Sequence, residues 1–170
     1  MNRFFKILVF VLPLIFCGKA TASQEYNIEI YFTSHYNGYS MKLYPPKGYV
    51  PNSKCMSVWN QPEETTIINN FDNHQLNLKD KNSGSCINDE KYVTWEYELF
   101  INNDQNNIVS KGKFQLYHNK QSGSWKTKVD TFGNKNISAD CGPDINNNTT
   151  CDDTFVSNPV NYVKIEVFKE

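Results

Sequence analysis

The chain has 170 residues and a formal net charge of −1, and Arg3 is the one arginine among its 17 basic residues. Without a basic excess, and without the forked guanidinium that reads guanine edges and clamps phosphate, nucleic acid is not an expected partner and an anionic membrane surface has little to attract.

At the N-terminus, Arg3 and Lys6 flank the start of an apolar run from Ile7 to Phe16, and Ala20-Thr21-Ala22 comes after it. That order predicts a secretory signal peptide over residues 1–22, cleaved after Ala22. The run is about half the ~20 residues that span a bilayer, and no later stretch approaches that length, so no transmembrane segment is expected. Leu14-Ile15-Phe16-Cys17-Gly18 imitates a lipid-attachment box, but Phe16 stands where that box uses a small residue. Cleavage removes Cys17 and leaves Cys55, Cys86, Cys141 and Cys151, an even set in an exported chain. Two disulfides are the expectation, paired by nearest neighbours as Cys55–Cys86 and Cys141–Cys151. Residues 23–170 then form one secreted domain, extracellular or periplasmic. Its formal charge is −4, because the leader holds three of the 17 basic residues and none of the 18 acidic ones.

Alternation with period two dominates the chain beyond the leader, the mark of strands with one buried face. "YNIEIYF" sets Tyr26, Ile28, Ile30 and Phe32 against Asn27, Glu29 and Tyr31, and "GYSMKLY" sets Tyr39, Met41 and Leu43 on one side. "LYPPKGYVPNSKC" is a proline-rich connection, and weaker strands are expected at Met56 to Trp59, Thr65 to Ile68 and Gln75 to Lys79. "YVTWEYELFI" is the strongest segment, with Val93, Trp95, Tyr97, Leu99 and Ile101 inward, and reads as a central strand. "NNDQNN" then predicts a turn, "IVSKGKFQLYH" a strand in which Gly112 marks a bulge, "NKQSGS" a turn and "WKTKVDTF" a strand, together an antiparallel meander. "NYVKIEVFK" closes the series, and this last strand and the first are both regular enough to pair. No stretch beyond the leader has helical spacing. The fold class is all-β, an antiparallel β-sandwich of about eight or nine short strands, with a small β-barrel as the alternative.

"DCGPDINNNTTCDD", Asp140 to Asp153, places acidic and amide side chains densely between two cysteines. Asp144, Asn146, Asn148 and Asp152 imitate the alternate-ligand spacing of a calcium loop. Thr149 replaces the turn glycine and Phe155 the bidentate glutamate, so a hydrated loop closed by Cys141–Cys151 is the preferred reading, with calcium the one cofactor to test and none required. Asn136, Asn147 and Asn148 each begin a glycan-acceptor triplet.

His35, His74 and His118 lack the spacing of a zinc site. The paired carboxylates Glu63-Glu64, Asp89-Glu90 and Asp152-Asp153 are sequence neighbours, which strands aim to opposite faces. Glu96 and Glu98 share a face, as solvated strand residues do. "SGSW" around Ser124 lacks the glycines of a nucleophile elbow. The rings Tyr31, Tyr44, Tyr92, Phe100 and Tyr117 fall opposite the deduced core, where they could stack on sugars or seat a protein. The expected function is a non-catalytic binding module that recognises a protein or carbohydrate through these aromatics and the asparagine-rich loops. Two alternatives stand beside it: a secreted hydrolase using His118 or His35 with a carboxylate, and a membrane-active β-sandwich toxin.

Overall fold

A computed structural model describes residues 23–46, 53–59 and 65–170, with backbone alone at residues 58 and 59. The leader, its Cys17 and the Glu63-Glu64 pair lie outside the described residues, as does much of the proline-rich connection. Thirteen strands form among them: β1 (Glu25–Ser34), β2 (Tyr39–Tyr44), β3 (Ser53–Lys54), β4 (Met56–Trp59), β5 (Thr66–Asn69), β6 (Asp72–Asp80), β7 (Lys91–Ile101), β8 (Asp104–Gln121), β9 (Ser124–Asp130), β10 (Ile137–Asp144), β11 (Asn147–Thr150), β12 (Val156–Ser157) and β13 (Tyr162–Lys169). One short 3-10 turn, Gly84–Ile87, lies between β6 and β7.

Two sheets face each other as a sandwich and no barrel closes. One sheet runs β11-β10-β13-β1-β6-β4, and the other β12-β9-β8-β7-β2-β5, with β3 also on β7. Pairing is antiparallel except between β1 and β13, which run parallel in register from Asn27↔Tyr162 to Ser34↔Lys169. The expected contact of first and last strands is therefore made, side by side inside the sheet. The β7–β8–β9 meander forms as its alternation predicts, and β7 lies in the interior of its sheet.

Three local features differ from the sequence reading. The "NNDQNN" turn shrinks to Asn102 and Asn103, both at positive φ (58° and 56°), and the residues after them already belong to β8. Asparagine tolerates that left-handed backbone, which a two-residue hairpin requires twice. Gly112 sits in regular register opposite Tyr97, and the slips fall further along β8, between Ser110 and Asp104. A Cβ at Gly112 would lie 2.7 Å from Tyr97 Cε1, so this glycine admits a ring. Finally, Asp140–Asp153 is a hairpin, not a free loop: β10 buries Ile137, Ala139 and Cys141, while residues 143–150 stay exposed. That hairpin, with the two-residue strands β3 and β12, accounts for the additional strands.

Tyr26, Ile28, Ile30 and Phe32 from β1 meet Trp95, Tyr97, Leu99, Phe114 and Leu116 from β7 and β8 across the sandwich. Trp95 and Tyr97 both stack on Phe114, with centroids 5.7 and 6.2 Å apart. Each such ring contributes on the order of 2 kcal/mol through burial. Both expected disulfides form, Cys55–Cys86 and Cys141–Cys151, with Cα atoms 5.5 and 5.7 Å apart. Among the described residues no helix is long and apolar enough to cross a membrane.

Candidate functional site

The five rings singled out in the sequence do not form one platform. Tyr92 and Tyr117 are directly opposed on β7 and β8 and stack at 6.5 Å with planes 25° apart. Tyr44 lies on the same outer face but beside Glu96, four positions along β7, roughly 13 Å by strand rise. Tyr31 belongs to β1 and faces outward from the other sheet, where its hydroxyl donates to Glu29 at 2.7 Å. Phe100 keeps regular register with Ser40 of β2 and lies outside the central core cluster, yet it is 2% exposed and offers no surface to a ligand.

Around Tyr92 and Tyr117 the fold assembles a set that the strand pattern alone does not reveal. Phe155, from the segment between β11 and β12, leans on Tyr117 at 6.0 Å and 52°. Lys128 Nζ lies 5.8 Å from the Tyr117 ring centre and 5.5 Å from that of Phe155, held there by Asp130 at 2.9 Å. The Tyr117 hydroxyl donates to Glu90 at 2.7 Å and accepts from Asn119 at 3.2 Å. Burial, then this bond to Glu90, pushes the Tyr117 phenol up to about 12, so it remains a donor at any physiological pH. Lys54 approaches Glu90 and Asp89, each at 3.5 Å. All three rings are half-buried, which fixes their tilt and leaves part of each face accessible. The signal for Phe155 was its apolarity within a polar segment; nothing local in sequence ties it to Tyr117.

Further along the same face, Tyr44 donates to Glu98 at 2.6 Å, and Lys111 meets Glu98 at 2.6 Å above a shallow groove that also touches Glu96 and Lys113. The bond to Glu98, then burial, pushes the Tyr44 phenol up to about 12.

The histidines separate. His35 is exposed beyond β1 and His74 is half-buried on β6, where burial lowers its pKa. His118 points between the sheets and is 2% exposed. Its Nδ1 lies 2.9 Å from Thr127 Oγ1, and its ring stacks flat on Trp125 at 4.8 Å. Burial first, and the ammonium of Lys91 second, lower its pKa to about 4. Among the described residues, neither His118 nor His35 hydrogen-bonds a carboxylate, the partner a hydrolase would need.

Next to His118, the sandwich encloses a polar corner. Lys91 Nζ donates to Asp80 Oδ2 at 2.7 Å, and both side chains are at most 2% exposed. Lys91 also contacts Asn82 Oδ1, and Asn82 Nδ2 lies 3.5 Å from Asp80 Oδ1. The backbone N–H of Gln24 donates to that same Oδ1 at 2.6 Å, and the Trp125 ring sits 4.4 Å from the ammonium. Gln24, Asp80, Asn82, Lys91, Trp125 and Asn158 help line a cavity of about 90 Å³.

In the Asp140–Asp153 hairpin, Asp144 caps the turn. Its Oδ1 accepts from the backbone N–H of Asn146 at 2.8 Å and of Asn147 at 3.1 Å, and both of its oxygens accept from the Asn147 side chain. Those bonds, that of the Asn147 side chain first, lower the Asp144 pKa. Asn148 Nδ2 donates to Ile145 O, and Asp152 makes an isolated bridge with Val129 on the inner side. Asp144, Asn147 and Asn148 thus serve the turn, Asp153 accepts from Thr131, and among the described residues no three His, Cys, Asp or Glu are grouped to hold a metal.

No protein-family model matches the chain, and no curated protein is significantly similar to it.

Proposed function

We propose that this is an exported, non-catalytic carbohydrate-binding module whose site is the outer face of β7, β8 and β9 at Tyr92, Tyr117 and Phe155. The observation that carries it is the group of three part-exposed rings, Tyr92 stacked on Tyr117 and Phe155 tilted against it, framed by Glu90, Lys128 and Asp130. Sugars present flat C–H faces edged by hydroxyls; tilted rings receive the first, and a carboxylate with an ammonium beside it receives the second. A protein partner would need roughly 800 Å² of complementary surface, far more than three half-buried rings provide. Two formed disulfides suit an oxidising compartment and support export. The hydrolase alternative is weakened by a His118 that is enclosed, neutral and without a carboxylate partner.

A glycan array with the purified domain tests the reading. Tyr92→Ala and Tyr117→Ala should each weaken the best glycan at least tenfold, a loss of about 1.4 kcal/mol, while the melting temperature shifts by only a few degrees. An array without a hit, or variants that bind like the parent, would overturn it.

A further inference from the structure

The polar corner holds three groups in an arrangement that can do chemistry on itself. Lys91 is a primary amine with no access to solvent, Asn82 supplies an amide that its Nζ already contacts, and Asp80 touches both, at Lys91 Nζ and near Asn82 Nδ2. We propose that Lys91 and Asn82 join through an intramolecular amide bond, with Asp80 as the proton carrier.

The step balances without any co-reactant. A buried ion pair is desolvated, and a proton shift along its own hydrogen bond, from Nζ to Asp80 Oδ2, removes both charges and frees the amine lone pair. That lone pair forms the Nζ–Cγ bond to Asn82, and the Cγ–Nδ2 bond breaks. Nζ gives up two protons in all. Asp80 hands the first to Nδ2, which leaves as ammonia, and keeps the second as a neutral acid able to donate to the new carbonyl. The 3.5 Å separation of Asp80 Oδ1 and Asn82 Nδ2 is a long relay contact of the kind that tightens on the reaction path.

The surroundings suit the reaction. Trp125 covers the ammonium and His118 stacks on Trp125, so the nucleophile is kept from bulk water, while the Asn82 amide is half-buried at the mouth of the corner. The backbone N–H of Gln24 fixes the Asp80 carboxylate in place. The cavity of about 90 Å³ beside the three groups exceeds the ~30 Å³ that a water occupies in the liquid, and gives an ammonia molecule room to depart. Holding nucleophile, acceptor and proton carrier together supplies the orientation that makes an otherwise slow amide exchange accessible. Asp80 ends β6 in one sheet and Lys91 begins β7 in the other, so the bond would tie the crossover between sheets to itself.

The test is the intact mass of the folded, purified chain after denaturation and disulfide reduction. The expected mass is lower, by one ammonia, than that calculated for the same termini, and fragmentation should show a branched peptide joining Asn82 to Lys91. Lys91→Gln and Asp80→Ala should restore the full calculated mass. A parent mass equal to the calculated one overturns the proposal, and that measurement holds even if a variant fails to fold. Loss of one water in place of ammonia would identify Asp80 as the acceptor and overturn the assignment to Asn82. Ammonia loss that persists in Lys91→Gln would be a backbone succinimide, as at Asn37-Gly38 or Asn82-Ser83, and would overturn it as well.

Discussion

His118 shows how one enclosed side chain sets a pH response. In an unfolded chain it takes its proton near the ordinary 6.5, whereas in the fold it stays neutral down to about 4. Between those values the unfolded state binds a proton that the folded state refuses. The stabilisation is therefore complete above about 6.5 and is lost as pH falls toward 4, by roughly 3 kcal/mol in all. Urea titrations from pH 7 to 4 should show this slope in the parent and lose it in His118→Gln, which keeps a polar partner for Thr127; equal slopes would exclude His118 as the group responsible. Forming the Lys91–Asn82 amide removes the ammonium that is the second cause of the shift, and narrows the window from its acidic end. Alternation in the sequence placed Tyr92 and Tyr117 outside the core, as the fold has them. It set Phe100 on that side as well, where the ring is covered and not available, because alternation reads which way a side chain faces and not whether something lies over it. Lys91, His118 and Asp80 were invisible as inward residues, since periodicity reads polarity as exposure and these groups are buried by pairing.

Among the elements, β1, β2, β7, β8, β9 and β13 were legible because each alternates large apolar groups with polar ones. The β10–β11 hairpin was not. Its inward residues beyond Ile137 are Ala139, Cys141 and Gly142, too small to register as a hydrophobic face, while its outward side is saturated with turn formers. Gly142 is where the hairpin closes most tightly: a Cβ there would lie 2.6 Å from Asn148 Cα and press on the Asn147 carbonyl, both backbone groups with no rotamer to yield. Gly112 meets a ring instead, and Tyr97 is pinned by Asn134 at 2.8 Å. Gly112→Ala should cost about 1–3 kcal/mol by overpacking, and Gly142→Ala should cost more, since backbone must move. Chemical denaturation of the two variants checks both the sign and the order, and a Gly142→Ala as stable as the parent would contradict the close approach.

For the molecule as a whole, nearest-neighbour pairing of cysteines was the correct rule because both bridges are local: Cys141–Cys151 spans ten positions and Cys55–Cys86 spans 31. Each bridge contributes roughly 2–4 kcal/mol, a large part of the 5–15 kcal/mol typical of a domain. Reductant should therefore lower the denaturant midpoint clearly, and Cys55→Ser with Cys86→Ser should have at least the effect of the Cys141/Cys151 double variant, because the longer loop loses more restraint. An unchanged midpoint on reduction would mean that the two sheets hold without their cross-links. What no local pattern could supply was the assignment of strands to sheets, which separates Tyr31 from the other rings and brings Asp80 to Lys91.

The parallel union of β1 with β13 also governs the order in which the molecule can be assembled. β1 is the first of the described strands to be synthesised, yet one of its flanks stays open until the final strand arrives. A nascent chain of this topology must wait in a half-paired form, vulnerable to proteases and to its neighbours, and its survival depends on how quickly the tail reaches the head.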